Sequence, residues 1–388
     1  MAEEAPTDPP KIISIEEAVP DEAKKTQVGK ILYCFAGAAR KCDVAHFVKQ
    51  RSRLHGTKVE VEELDIIRGG ASHDLSNDSL VGSLVKRIHA GEFGAAMLTP
   101  PCNTHSRAMY SNKPGPLPLR SKEHPHGLPH LNQKQIRKVE LADKLIENTI
   151  QLAHASFESG VPFIIEHPEN LGSTPKGTPA SIWDLDEIRK LASRTKAHTA
   201  SIYQCRDPTG RGELEVAESP KPTRLLGTAA KLLELRHHGW PQIHEDGSYQ
   251  GPLPRSCGHK HGKKLIGLKE CGNEFKTEAA AAYPPALCDW LAEALVAEVL
   301  AETNRKKATP RGRGKEMRKL LPMDQWDTSD EDELGEPKWL LGSGPAWYYE
   351  KERDQVQATS KPGFRRGTRL FEVGTRWGHP RCQGGKPR

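Results

Sequence analysis

The sequence predicts an α/β domain built on a doubly wound, mostly parallel sheet, with disordered termini on either side. Two observations carry that expectation. Between Lys30 and Glu302, short apolar runs of strand type alternate with amphipathic helical segments, the pattern of successive βαβ units. Hydrophobic residues make up 36% and aromatics 6% of 388 residues, while 30 prolines and 34 glycines are spread through the chain. That supplies one sizeable core and leaves long polar segments outside it.

The elements follow in order. Residues 1–28 read as a disordered leader, acidic and proline-containing at its start. Lys30-Ile31-Leu32-Tyr33-Cys34-Phe35 is a buried-strand run that stops at Ala36-Gly37-Ala38-Ala39. A helix over Asp43 to Arg53 turns Val44, Phe47 and Val48 inward, and Lys58 to Asp65 is a second strand ending in acids. The next helix begins at Asp78 with Leu80, Leu84, Val85 and Ile88 on one face; Gly94 to Leu98 is the following strand. Residues 112–130 are Pro-rich and read as an exposed, partly extended insertion. Ile136, Val139, Leu145, Ile146, Ile150, Ala153 and Phe157 then recur at helical spacing from Asn132 to Ser159, with Gly160 as the stop. Val161 to Ile165 is a strand, a short helix spans Trp183 to Leu191, and Ala200 to Gln204 is another strand. A helix after Pro285 closes the domain at residue 303. Residues 304–388 alternate basic and acidic blocks and read as a mainly disordered tail.

The chain carries a formal net charge of +6, which suits an anionic partner without requiring one. Its N-terminus lacks the apolar stretch of a secretory signal, and no segment approaches the roughly 20 apolar residues of a membrane helix. Eight cysteines are scattered with no Cys-x-x-Cys pair. A soluble, intracellular protein with reduced thiols and no membrane partner is expected.

Ligands of an open α/β sheet bind beyond the carboxyl ends of its strands. The first strand ends in small residues, Ala36 and Gly37, that let a cofactor approach the backbone, although the G-x-G-x-x-G fingerprint is absent. The second ends in Glu62, Glu63 and Asp65, carboxylates suited to the two hydroxyls of a ribose. Asp74, after Gly69-Gly70, is placed in the next strand-end loop. Gly94 to Leu98 runs into Thr99-Pro100-Pro101-Cys102, where two prolines stiffen the mount of a thiol. Ile164-Ile165 runs into Glu166, an acid followed closely by Pro168.

In this order the motifs resemble those of the cytosine-5 DNA methyltransferases, a class I S-adenosylmethionine-dependent family. Phe35-Ala36-Gly37 looks like the first cofactor loop, Pro101-Cys102 like the Pro-Cys nucleophile, and Glu166 like the Glu of Glu-Asn-Val. Gln204-Cys205-Arg206 is similar to the start of the Gln-x-Arg-x-Arg motif. Tyr283-Pro284-Pro285-Ala286-Leu287 is similar to the C-terminal motif that closes the cofactor pocket. The sequence departs from the family at Asn103, at His167-Pro168 and at Pro208.

The resemblance implies S-adenosyl-L-methionine as cofactor, held by Phe35, Ala36, Gly37, Glu63, Asp65, Asp74, Pro100 and Pro285. It implies catalysis by Cys102, Glu166 and Arg206 on cytosine carbon 5 of a nucleic acid, DNA before RNA, in the nucleus. Arg107 or His105 would lower the thiol pKa if either faces it. Arg206, Arg224 and Lys260 to Lys264 would contact phosphates, and residues 207–262 would form a reduced recognition region. Two alternatives stay open: an amino-methyltransferase on adenine or cytosine, suggested by the paired prolines, and a non-catalytic nucleic-acid-binding module of a mobile-element-type polyprotein. Cys257, His259, His261 and Cys271 miss the usual zinc spacings, so no metal is expected and their loop is placed near cofactor or substrate.

Overall fold

The structure is a computed structural model and describes residues 27–110, 116–209, 220–261 and 282–308. Its centre is a seven-stranded sheet in the order β2-β1-β3-β4-β6-β5-β7. The strands are β1 (Gln27–Cys34), β2 (Lys58–Leu64), β3 (Ala95–Leu98), β4 (Phe163–Pro168), β5 (His198–Tyr203), β6 (Pro222–Gly227) and β7 (His237–His238). β1 pairs in parallel with both β2 and β3, and β3 pairs in parallel with β4. β6 runs antiparallel between β4 and β5, so β5 again points the same way as β1 to β4. The sheet is therefore mostly parallel but mixed.

Side chains alternate across this sheet with the period of two that a pleated strand imposes. Leu32, Cys34, Ala96, Leu98, Phe163, Ile165 and Leu226 face one layer; Ile31, Tyr33, Ala95, Met97, Ile164 and Leu225 face the other. On the first face lie α3 (Asp78–His89), α4 (Gln133–Glu158) and α5 (Asp186–Thr195). The second is covered by α1 (Val44–Leu54) and α6 (Pro285–Ala308). α6 buries residues from Leu287 through Leu291 and Leu295 to Val299 against β1, β3 and α1. No helix among the described residues is long and apolar enough to cross a membrane.

Local chemistry sets the helix ends. Asp43 and Asn77 cap α1 and α3 through side-chain oxygens that accept from His46 N and Ser79 N. Asn132 and Gln135 form a reciprocal capping box at the start of α4, and Gly160 at φ +67° ends it. A one-turn helix, α2 (Ile66–Gly69), follows β2 and is capped by Asp65.

Several expectations change. Gln27 and Val28 already belong to β1, and α6 runs on to Ala308, past the expected boundary at 303. Pro222–Gly227 falls inside the segment 207–262 expected for nucleic-acid recognition, yet it is an interior strand. The Pro-rich segment is docked rather than exposed at Leu119 and Arg120, which are buried. Arg120 donates to Thr104 Oγ1, Pro125 O, Asp143 Oδ1 and Val139 O, so its charge is paired as burial demands. A two-stranded ribbon of β8 (Gln242–Ile243) and β9 (Tyr249–Gly251) lies between β7 and α6 in the chain.

Candidate functional site

β2 and β3 flank β1 on opposite sides, so the sheet's topological switch point lies between the carboxyl ends of β1 and β3. Phe35 and Gly37 leave β1 in the left-handed region, at φ +63° and +70°. A bulky residue is uncommon there, and the conformation must be held by its surroundings. Phe35 N and Ala36 N both donate to Leu64 O, Thr99 Oγ1 donates to Phe35 O at 3.0 Å, and Gly37 N donates to Asp65 Oδ2 at 2.8 Å. A Cβ built on Gly37 meets nothing within 4 Å, so the space above this loop is open.

The carboxylates of this corner divide their work. Asp65 caps α2 and holds Gly37 N, so it shapes the loop. Glu63 pairs with Arg68 at 2.7 Å, while its Oε1 is buried without a hydrogen-bond partner among the described residues. Burial pushes its carboxyl up. Arg68 also donates to Gly37 O. Asp74, expected to hold the cofactor, shapes its own turn. Its Oδ1 accepts from Ser76 N and Ser76 Oγ, and it closes the turn ahead of α3.

Pro100 is buried at the end of β3, and Cys102 is half-buried two residues on. Glu166 lies on β4, opposite Leu225 and past the last β3 pair, with its side chain on the α1–α6 face beside Ile164. Its Oε2 accepts from Tyr283 Oη at 2.6 Å, and its Oε1 is buried without a partner among the described residues. An unpaired buried carboxylate oxygen is costly unless a ligand donor satisfies it. Tyr283 is fixed in turn by Arg40, which donates to its carbonyl at 2.8 Å.

Cys102 sits in the field of this pair. Burial pushes its thiol up, the Lys221 ammonium pulls it down, and the Glu166 carboxylate pushes it up again. The Lys221 Nζ also lies 5.5 Å from the centre of the Tyr283 ring. Lys221 was not among the residues expected from sequence. It precedes β6, a strand that begins with a proline and so gave no signal. The two groups expected to assist the thiol act elsewhere. Arg107 donates to Gly172 O and to Ser173 O, tying the Cys102 loop to the loop after β4. Burial holds His105 neutral, well below the ordinary histidine range.

Three further residues named from the sequence fall as follows. Arg206 is exposed, with its guanidinium beside Gly258, where a Cβ would come within 2.6 Å of it; no interaction among the described residues links it to Cys102. Pro285 is exposed at the start of α6, and Tyr283 is the residue of that motif that reaches the site. Arg224 is fully buried, so it contacts no phosphate. It makes a bidentate pair with Glu169 at 2.8 Å and also donates to Thr199 Oγ1 and Gly239 O. Lys263, Lys264 and Cys271 lie outside the described residues. Cys257, His259 and His261, for which no metal was expected, converge on Cys205. No family model, curated protein or solved structure matches the chain.

Proposed function

We propose that this chain is an S-adenosylmethionine-dependent methyltransferase that acts on cytosine carbon 5 of a nucleic acid through a covalent Cys102 adduct. One observation carries the reading: Glu166, on the strand next to the one that leads into Cys102, keeps a buried Oε1 that has no partner among the described residues and is left for a ligand donor. A mostly parallel sheet with this switch point is compatible with a class I methyltransferase.

The corner at β1 and β2 fits the cofactor by its chemistry. Phe35, Ala36 and Gly37 offer backbone beside open space, and Glu63 offers an unpaired Oε1 for a ribose hydroxyl. S-adenosylmethionine, when bound, supplies a sulfonium methyl group. Glu166 would accept from the exocyclic amine or protonated ring nitrogen of a cytosine taken out of its stack. The Cys102 thiolate would add to carbon 6, and the electron pair released toward carbon 5 would take the methyl group. Loss of the carbon 5 proton then lets the carbon 6–sulfur bond break, and Cys102 leaves as thiolate. Lys221 would favour the thiolate at both ends of this cycle.

A second reading is favoured by the raised Cys102 thiol: a nucleic-acid-binding module of the same fold that does not turn over. Covalent trapping separates the two. Incubation with S-adenosylmethionine and DNA containing 5-fluorocytosine is expected to yield an adduct that survives denaturation, since fluorine cannot leave as a proton does. Cys102→Ala should give none. Cofactor binding by the wild type without any adduct would sink the methyl-transfer reading and leave the binding module.

A further inference from the structure

The geometry points to a structural zinc site formed by Cys205, Cys257, His259 and His261. One ligand atom from each of these side chains lies within 4.8 Å of all the others. The four corners of a tetrahedral zinc shell are separated by roughly 3.3–3.8 Å, given zinc–sulfur and zinc–nitrogen bonds of about 2.3 and 2.0–2.1 Å. A slight closure therefore brings all four onto one ion. Cys257 Sγ already lies 3.1 Å from His261 Nε2, and His259 Nδ1 is buried without a partner among the described residues. Both cysteines are buried and neither is in a disulfide.

Two thiolates and two imidazoles in this arrangement favour zinc over the hard cations. Four protein ligands leave no open position, so the ion would serve as a staple and not as a Lewis acid. On binding, both thiols give their protons to solvent and the imidazoles coordinate as neutral rings. The spacing hid the site because Cys205 stands about fifty residues ahead of the other three.

Its position gives the staple a purpose. Cys205 lies two residues past the end of β5, while the other ligands sit on the loop after β9. Tyr203 Oη donates to Pro254 O at 2.7 Å across the same junction. Gln204 N donates to Lys221 O at 3.0 Å, so the site is one residue from the bond that places Lys221. The ion would hold the end of β5, and through it the backbone of Lys221.

The test uses the full chain, purified under reducing conditions without chelator, and reads metal content by mass spectrometry. One zinc per chain is expected. Replacement by Co²⁺ should give thiolate-to-cobalt charge-transfer absorption with the intense visible bands of a tetrahedral ion. Cys205→Ser and Cys257→Ser should each lose the stoichiometric zinc, whereas Cys42→Ser should keep it. If the serine variants do not fold, the cobalt spectrum of the wild type decides. A reduced wild type that retains no zinc, a cobalt form without thiolate bands, or a Cys205–Cys257 disulfide in the isolated protein would each overturn the site. None of these readouts depends on methyl transfer.

Discussion

Cys102 is a thiol under opposed influences, and the balance is set by single residues. Burial and Glu166 keep its proton on, and Lys221 works to release it. Lys221→Met should therefore move the pH profile of Cys102 alkylation upward, by up to about one unit, with Lys221→Arg restoring it. The rate is read at the Cys102 peptide, and an unmoved profile would remove Lys221 from the site. Glu166→Gln separates reactivity from turnover. It takes away the like charge, so the thiol should ionise at lower pH and alkylate faster. Methyl transfer should nonetheless fall by about 10²–10³, because an amide no longer matches the donors of cytosine. A variant that alkylates faster and turns over faster would deny Glu166 its role.

The strand β6 shows how an element can be written in unfavourable residues. It opens with Pro222 and carries Arg224 in the middle of the sheet. Arg224 is tolerated because Glu169 meets it with two hydrogen bonds, Thr199 takes a third, and Tyr249 Oη donates to the same carboxylate at 3.0 Å. Both side chains of the pair are fully shielded from water. Removing one partner leaves the other charge buried. Arg224→Met should cost about 3–5 kcal/mol in urea unfolding, and Arg224→Met combined with Glu169→Leu should recover much of it. A single variant as stable as the wild type would show that the pair is open to solvent. Arg120 works in a similar way at the other end of the site. By binding Thr104 and the 125 and 139 carbonyls, it ties the Pro-rich segment to the Cys102 loop.

At the scale of the molecule, the layer of α3, α4 and α5 encloses a pair of neutral histidines. His105 and His167 meet edge to face, with Trp183 packed on His167. Burial, with smaller contributions from Lys221 and Arg120, pushes His167 down to about 3. An unfolded histidine titrates near 6.5, so the unfolded chain takes up more protons between those values. The resulting stability is complete above about pH 6.5 and is lost as pH falls toward 3, by about 1.4 kcal/mol per pH unit for each such histidine. His167→Leu should flatten that slope by the same amount, measured from urea midpoints between pH 6.5 and 4. An unchanged slope would mean that His167 is protonated in the folded protein.

The main strands and helices up to β5, and the last helix, were legible because periodicity is local: Val44 and Val48, or Leu145 and Leu152, announce a buried face whatever packs on it. Cys102 and Glu166 stood out in the sequence for a related reason, since Cys102 comes shortly after the apolar run ending at Leu98 and Glu166 adjoins Ile164-Ile165. Arg224 was misread because a charge in sequence carries no record of the carboxylate that buries it. Lys221 and the place of Cys205 beside Cys257, His259 and His261 were missed on the same account. Their neighbours lie far away along the chain, at Cys102 and at Cys257 to His261, and only the folded chain brings them together. Local pattern is set by which residues are neighbours in the chain, whereas charge pairing and ligation depend on distances that exist only once the sheet has closed.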